Sequence, residues 1–228
     1  MDPSILVIPN GDSDEFFKTV INKAGNYIDR LCVSNYGVFD FNAGYESYRD
    51  TTRCLIWPAQ TALNAMNKYA TQEQLDKWKL IVAEYGTIDW AGLWHGTNDM
   101  GHAIVNFDMT GQLLLEPQIE FSCFWNTRWL NNEEYPQTDH DAVDSNGNIN
   151  PTGYSLLIWN KFMGDKMIKS ESMGAIISYA SYSPHENRLF VYFINKGERE
   201  ENVNLIIPNK AAARLSSAGS ISVKTIRM

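Results

Sequence analysis

The chain has 228 residues, enough for one large domain or two modest ones, and 44% hydrophobic with 20% charged residues is ordinary for a polypeptide that buries a core. A formal net charge of -8 with no basic run excludes nucleic acid and anionic membrane as partners, because both would repel it. An aromatic content of 12%, with seven Trp and eleven Tyr, suits a neutral sugar ligand, whose C–H faces stack on aromatic rings.

From the N-terminus, four short apolar runs alternate with loops and segments of helical periodicity, the pattern of βα units on a parallel sheet. The first run, Ile5 to Pro9, is followed by a helix from about Asp14 to Ala24 with Phe16, Phe17, Val20 and Ile21 on one face. The second, Ile28 to Ser34, leads through a loop rich in Tyr, Asn and Asp to a helix near Pro58 to Tyr69. Thr71 and Gln74 then form a capping-box pattern at the start of a short helix. The third run is Lys79 to Glu84, with a loop from Tyr85 to Thr97 and a helix capped by Asn98 or Asp99 and reaching Leu115. The fourth, Ile119 to Trp125, precedes a polar loop and a helix opened by Pro151 and closed near Gly164.

Beyond Gly164 the pattern changes to period-two alternation, at Ala175–Tyr179 and Leu189–Ile194, with further strand-like runs at Val203–Ile207 and Ile221–Ile226. The expected architecture is α/β followed by all-β. Residues 1–165 would form strands five to eight of a (β/α)8 barrel, and residues 166–228 a small antiparallel β-sandwich. Half a barrel leaves two sheet edges and an apolar interior uncovered, so the native polypeptide is expected to extend upstream, with self-association through the open edges as the alternative. Asp2-Pro3-Ser4, running straight into an apolar strand-like run, fits the first expectation.

In a barrel the chemistry sits where the strands end. The second run ends Val33-Ser34-Asn35-Tyr36, the third Ala83-Glu84-Tyr85-Gly86, and the fourth Phe124-Trp125-Asn126-Thr127-Arg128-Trp129. This order resembles strands six, seven and eight of clan A retaining glycoside hydrolases, most of all the α-L-arabinofuranosidases of family 51, with the agarases and porphyranases of family 86 next. The resemblance covers the whole chain. It implies that Glu84 is the nucleophile, that Tyr36 hydrogen-bonds its carboxylate, and that Trp125 is a stacking floor for the sugar. One departure stands out: Ser34 occupies the place where many relatives carry His.

A retaining hydrolase needs a second carboxyl group about 5–5.5 Å from the first, to protonate the leaving oxygen. Relatives carry it on strand four, usually after Asn, and no Asn-Glu dipeptide precedes Glu84 here. The chain by itself is therefore expected to have little or no hydrolytic activity, a positioned acid being worth roughly 10²–10⁴-fold. Substrate contacts are expected from Asn35, Trp90, Trp94, His95, Trp125, Asn126 and Arg128, which end strands or lie in the loop after Glu84. The partner is thus an oligo- or polysaccharide of plant or algal origin, met by a secreted or periplasmic parent enzyme.

Other chemistries have little support. His95 and His102 lack a third ligand at zinc spacing, and the loop Asp144–Asn150 lacks the Gly and Glu of a calcium loop. There is no phosphate-binding Gly-rich loop and no nucleophile elbow, so no cofactor and no metal are expected. Cys32, Cys54 and Cys123 are too scattered for a disulfide framework and read as small core hydrophobes. A non-catalytic carbohydrate-binding protein, and a degenerate product of a broken gene, are the competing readings. An Asn-Glu pair a hundred or more residues upstream of Glu84 would favour the enzyme.

Overall fold

The computed structural model describes residues 5–40, 42–87, 98–128 and 140–206, and the chain divides into two compact units, Met1–Leu156 and Leu157–Met228.

In the first unit, strands β1 (Leu31–Asn35), β2 (Leu80–Tyr85) and β3 (Ile119–Phe124) form a parallel sheet in that order. Helix α1 (Asp14–Ala24) matches its expected span. Ser13 caps it by accepting from the Phe16 N–H, and Asp14 and Glu15 lie in the first turn, where the helix dipole favours negative charge. Helix α2 (Tyr45–Tyr48), a single turn in the loop after β1, was not anticipated; its Tyr48 is fully buried. Helix α3 (Trp57–Tyr69) starts with Pro58 in its first turn, where the missing N–H costs nothing. Helix α4 (Gln72–Lys77) opens with the expected reciprocal box between Thr71 and Gln74. Helix α5 (Met100–Leu114) is capped by Asp99, whose carboxylate accepts from the His102 N–H at 3.1 Å. Helix α6 (Pro151–Phe162) carries the chain out of the first unit.

The core lies between one face of this sheet and the helices. Leu31 and Val33 of β1 and Leu80, Val82 and Tyr85 of β2 pack with Phe17 and Ile21 of α1, Ala62 and Met66 of α3, and Val105 and Met109 of α5. The opposite face is far less covered. Ala83 and Cys123 are exposed there, and Phe121 keeps half its surface.

Two expectations need correction. Ile5–Pro9 is not a strand: only Asn10 bridges to Cys32, and Ile5 and Leu6 are exposed. The backbone does run beside β1, with Asp29 N donating to Val7 O and Cys32 N to Pro9 O. A regular ladder fails because Pro9 has no N–H to give and the Val7 N–H is taken by the Asp29 carboxylate at 2.9 Å. The parallel sheet therefore has three strands among the described residues rather than four. The second correction concerns the cysteines. Cys32 is buried, but Cys54 and Cys123 are exposed, so two of the three do not serve as core hydrophobes.

In the second unit, β4 (Lys166–Ile168), β5 (Ile176–Ser183) and β6 (Arg188–Asn195) form an antiparallel sheet in that order. In the turn between β5 and β6, Asn187 takes a positive φ of 49°. Trp159 of α6 packs against Tyr179 and Tyr192, and the Tyr192 hydroxyl donates to Phe162 O at 2.6 Å. Residues 203–206 are in no strand, and Ile207 and the run Ile221–Ile226 lie outside the described residues, so the described part of this unit is one sheet and not a sandwich.

Candidate active site

Glu84 is the penultimate residue of β2, and strict alternation would aim it wrongly. Leu80 and Val82 face the helices, so an unbroken strand would send Glu84 into the same apolar layer. One extra residue prevents this. Val33 pairs with Val82 but Ser34 pairs with Glu84, so β2 takes two steps where β1 takes one. On the other side Val82 pairs with Ser122 and Tyr85 with Phe124, three steps on β2 against two on β3. Both neighbours thus record a bulge around Ala83–Glu84, the device by which sheets re-aim a side chain. Past it, Tyr85 returns to the helix side, where its hydroxyl meets Thr110 Oγ1 at 2.9 Å and burial pushes its pKa up to about 12.

The carboxylate so turned has two hydroxyl neighbours. The Ser34 hydroxyl donates to Glu84 Oε1 at 3.0 Å, and the half-buried Tyr36 phenol is hydrogen-bonded to Glu84 as well. Burial, then the nearby negative charge of Glu84, then this hydrogen bond all push the Tyr36 pKa far above its ordinary value. Tyr36 therefore keeps its proton at any physiological pH and acts as a donor. Burial, more than the weaker influence of Glu84, likewise raises the pKa of the Cys32 thiol, which lies on the same side of β1 as Ser34.

Tyr36 is held from both sides in the chain. Asn35 is fully buried, its amide N–H donating to Leu55 O at 3.1 Å and its amide oxygen accepting from Ala59 N at 3.3 Å in the first turn of α3. Gly37 lies so close to the Leu55 backbone that a Cβ there would clash with Leu55 O, and its own carbonyl accepts from Trp57 Nε1 at 2.8 Å. These contacts correct one expectation. Asn35, expected among the substrate contacts, has both ends of its amide hydrogen-bonded to backbone inside the core, next to the residue it precedes.

Trp125 directly follows β3, and its N–H donates to Tyr85 O at 2.9 Å, which brings it to the same sheet end as Glu84. Gly86 permits this approach, since a Cβ would lie 3.0 Å from Trp125 O. The Trp125–Asn126 peptide is cis, and Asn126 is tied to the 140s by hydrogen bonds to His140 O and from Ala142 N. The Asn126 side-chain oxygen is buried with no hydrogen-bond partner among the described residues. Arg128 is exposed and ion-pairs with no described residue, so it does not neutralise Glu84. Trp90, Trp94 and His95 lie outside the described residues. His102 is fully buried on α5 with Nδ1 at 3.1 Å from Asp99 Oδ1, and no cluster of three His, Cys, Asp or Glu side chains among the described residues could hold a metal ion.

Two features escaped the sequence reading. Ser34 counted only as a departure from the family pattern, although it is the better defined of the two donors to Glu84. The bulge had no signal at all beyond Ala83 preceding the glutamate.

No family model matches the chain, and no curated protein matches it in sequence. Solved structures do. The GH51 arabinofuranosidase from Xanthomonas axonopodis pv. citri is similar with TM-score 0.58 and 15% identity over 86% of this chain and 44% of its own. A monomeric beta-xylosidase from Caulobacter crescentus CB15 gives 0.53 and 15% over 80% and 38%. AbfB, a family 51 alpha-L-arabinofuranosidase from Bifidobacterium longum, gives 0.51 and 14% over 86% and 45%. The chain therefore has the fold of part of a glycoside hydrolase, and it spans less than half the length of each of these enzymes.

Proposed function

We propose that this chain supplies the nucleophile side of a retaining glycoside hydrolase site. Glu84 attacks the anomeric carbon, Tyr36 orients its carboxylate, and Trp125, Asn126 and Arg128 contact the sugar from the neighbouring strand end. The observation that carries the reading is the bulge that turns Glu84 out of the apolar layer and onto a phenol that keeps its proton. A glutamate serving only to cap a strand would need neither.

The buried, unpartnered oxygen of Asn126 supports the sugar-contact part, because a ligand hydroxyl would satisfy an acceptor that otherwise costs about 1–3 kcal/mol. The fold shared with arabinofuranosidases and a xylosidase supports a pentoside, first an α-L-arabinofuranoside from plant or algal polysaccharide, with an agarase-like substrate as the alternative. The acid/base carboxylate comes from outside this chain, so hydrolysis of unactivated glycosides by the chain alone is negligible.

An activated substrate tests this without an acid, because a fluoride or dinitrophenolate leaving group departs unprotonated. Incubation with a 2-deoxy-2-fluoro pentosyl fluoride should add one glycosyl mass, mapped by peptide mass spectrometry to Glu84 and lost in Glu84→Gln. An adduct on another residue, or none at millimolar reagent, overturns the reading.

A further inference from the structure

We infer that Ser34 is a positioning residue for Glu84, matched to the bulge, and that its hydroxyl fixes which way the carboxylate points. The inference rests on the assignment of Glu84 above but reads a different contact.

A bulge turns a residue to a new face without fixing its rotamer. A glutamate reaching across an open sheet has three freely rotating bonds, and ordering them costs side-chain entropy. On the bulged stretch of β2 no backbone ladder is regular enough to restrain it. Ser34 is the residue directly across from Glu84 in the β1–β2 register, so its hydroxyl is delivered by two strands and not by a loop. Serine also has the right reach, since the 3.0 Å contact to Oε1 uses a side chain of one carbon. Tyr36, by contrast, stands beyond the strand end. With one donor on the strand and one past it, the carboxylate is held from two directions, and loss of the strand donor leaves it to turn about the remaining one.

Groups facing the carboxylate from the packed strands include the Ser34 hydroxyl, the Tyr36 phenol and the more weakly coupled Cys32 thiol. Ser34→Ala removes the strand-borne contact by deleting one oxygen, with little change of volume.

The test uses the full chain with selectively 13C-labelled glutamate, the Glu84 carboxyl resonance being assigned by its loss in Glu84→Gln. Ser34→Ala should shift that resonance and Ser34→Thr, which keeps the hydroxyl, should return it, with the amide spectrum elsewhere unchanged. Labelling by the fluoro-sugar fluoride should slow by roughly tenfold in Ser34→Ala, in the maximal rate and not in the half-saturating concentration, and recover in Ser34→Thr. A resonance that does not move in Ser34→Ala, or that moves and stays moved in Ser34→Thr, overturns the inference. A resonance that moves and returns while wild type takes no label upholds Ser34 as the positioning residue and defeats the hydrolase reading instead.

Discussion

On the helix side of the parallel sheet Leu31, Val33, Leu80 and Val82 are each 0% exposed, whereas on the other side Phe121 is 50% exposed and Ala83 and Cys123 are exposed too. The same three strands build both faces, and only the parity of the residues differs. What the contrast teaches is a division of labour. The helix side supplies the burial that holds the unit together, and the open side carries Ser34 and Glu84, whose carboxylate would be costly to bury in an apolar layer. The bulge at Ala83–Glu84 is where the two sides exchange residues: it sends a carboxylate to the open side and brings Tyr85 to the closed one.

If this division holds, the largest loss of stability comes from the closed face. Leu80→Ala should cost about 2–5 kcal/mol, the range for a large-to-small change in a packed core, read as a shift in the urea midpoint at unchanged slope. Asn35→Ala should come next, at about 1–3 kcal/mol, because Leu55 O and Ala59 N lose their partner in a buried setting. Asn35→Ala should also release Tyr36, so labelling of Glu84 should fall in the variant even under conditions where it is fully folded. Unchanged labelling would mean that Tyr36 is placed by Gly37 and the Leu55 backbone alone.

The closed face was the legible part of this molecule. Helix α1 could be read from the spacing of Phe16, Phe17, Val20 and Ile21, since a 3.6-residue period inside the segment decides it. Thr71 with Gln74 and Asp99 before α5 were legible because capping is local too. The open face was not. That Glu84 ends a strand is written in the sequence, but the direction it points depends on pairing with β1 and β3, a non-local matter that no period inside β2 records. Ile5–Pro9 failed similarly: four aliphatics look like a strand, yet Pro9 and the competing carboxylate of Asp29 decide the backbone pairing. Asn35 looked like a ligand contact because polar residues at strand ends often are; its burial follows from the fold of the loop before α3, which brings Leu55 and Ala59 over it.

Alkaline pH offers a smaller, signed test of the bulge. Tyr85 has a folded pKa pushed up to about 12 from an ordinary value of 10.0, so the native state holds its proton when the unfolded chain has let go. Its contribution is fully present below pH 10 and is lost as pH rises through the folded value. Between pH 9 and 11 that loss amounts to about 1.4 kcal/mol. Tyr36 has the same sign, for the added reason that its phenolate would face the carboxylate of Glu84. Tyr85→Phe should therefore flatten the fall in urea midpoint over that interval, and Glu84→Gln should flatten it by a lesser amount through Tyr36. A Tyr85→Phe chain with the wild-type slope would mean that the Tyr85 phenol is not desolvated in the closed layer.

The smallest effect belongs to Phe121. Its ring stands on the open side, opposite Ile81 in the β2–β3 register, with half its surface in water. A buried phenylalanine would cost about 3–5 kcal/mol on truncation, whereas one lying on an uncovered sheet should cost less than about 0.5 kcal/mol as Phe121→Ser. Protein concentration turns this small number into a sharp test. A free open face gives a midpoint shift independent of concentration, with sedimentation unchanged between wild type and variant. Should the open side instead be covered by a second copy, Phe121→Ser would lose stability that grows with concentration and would lower the sedimentation coefficient. In that case the apparent division between a structural face and a chemical face would be a property of the isolated chain, and Glu84 would sit inside an interface.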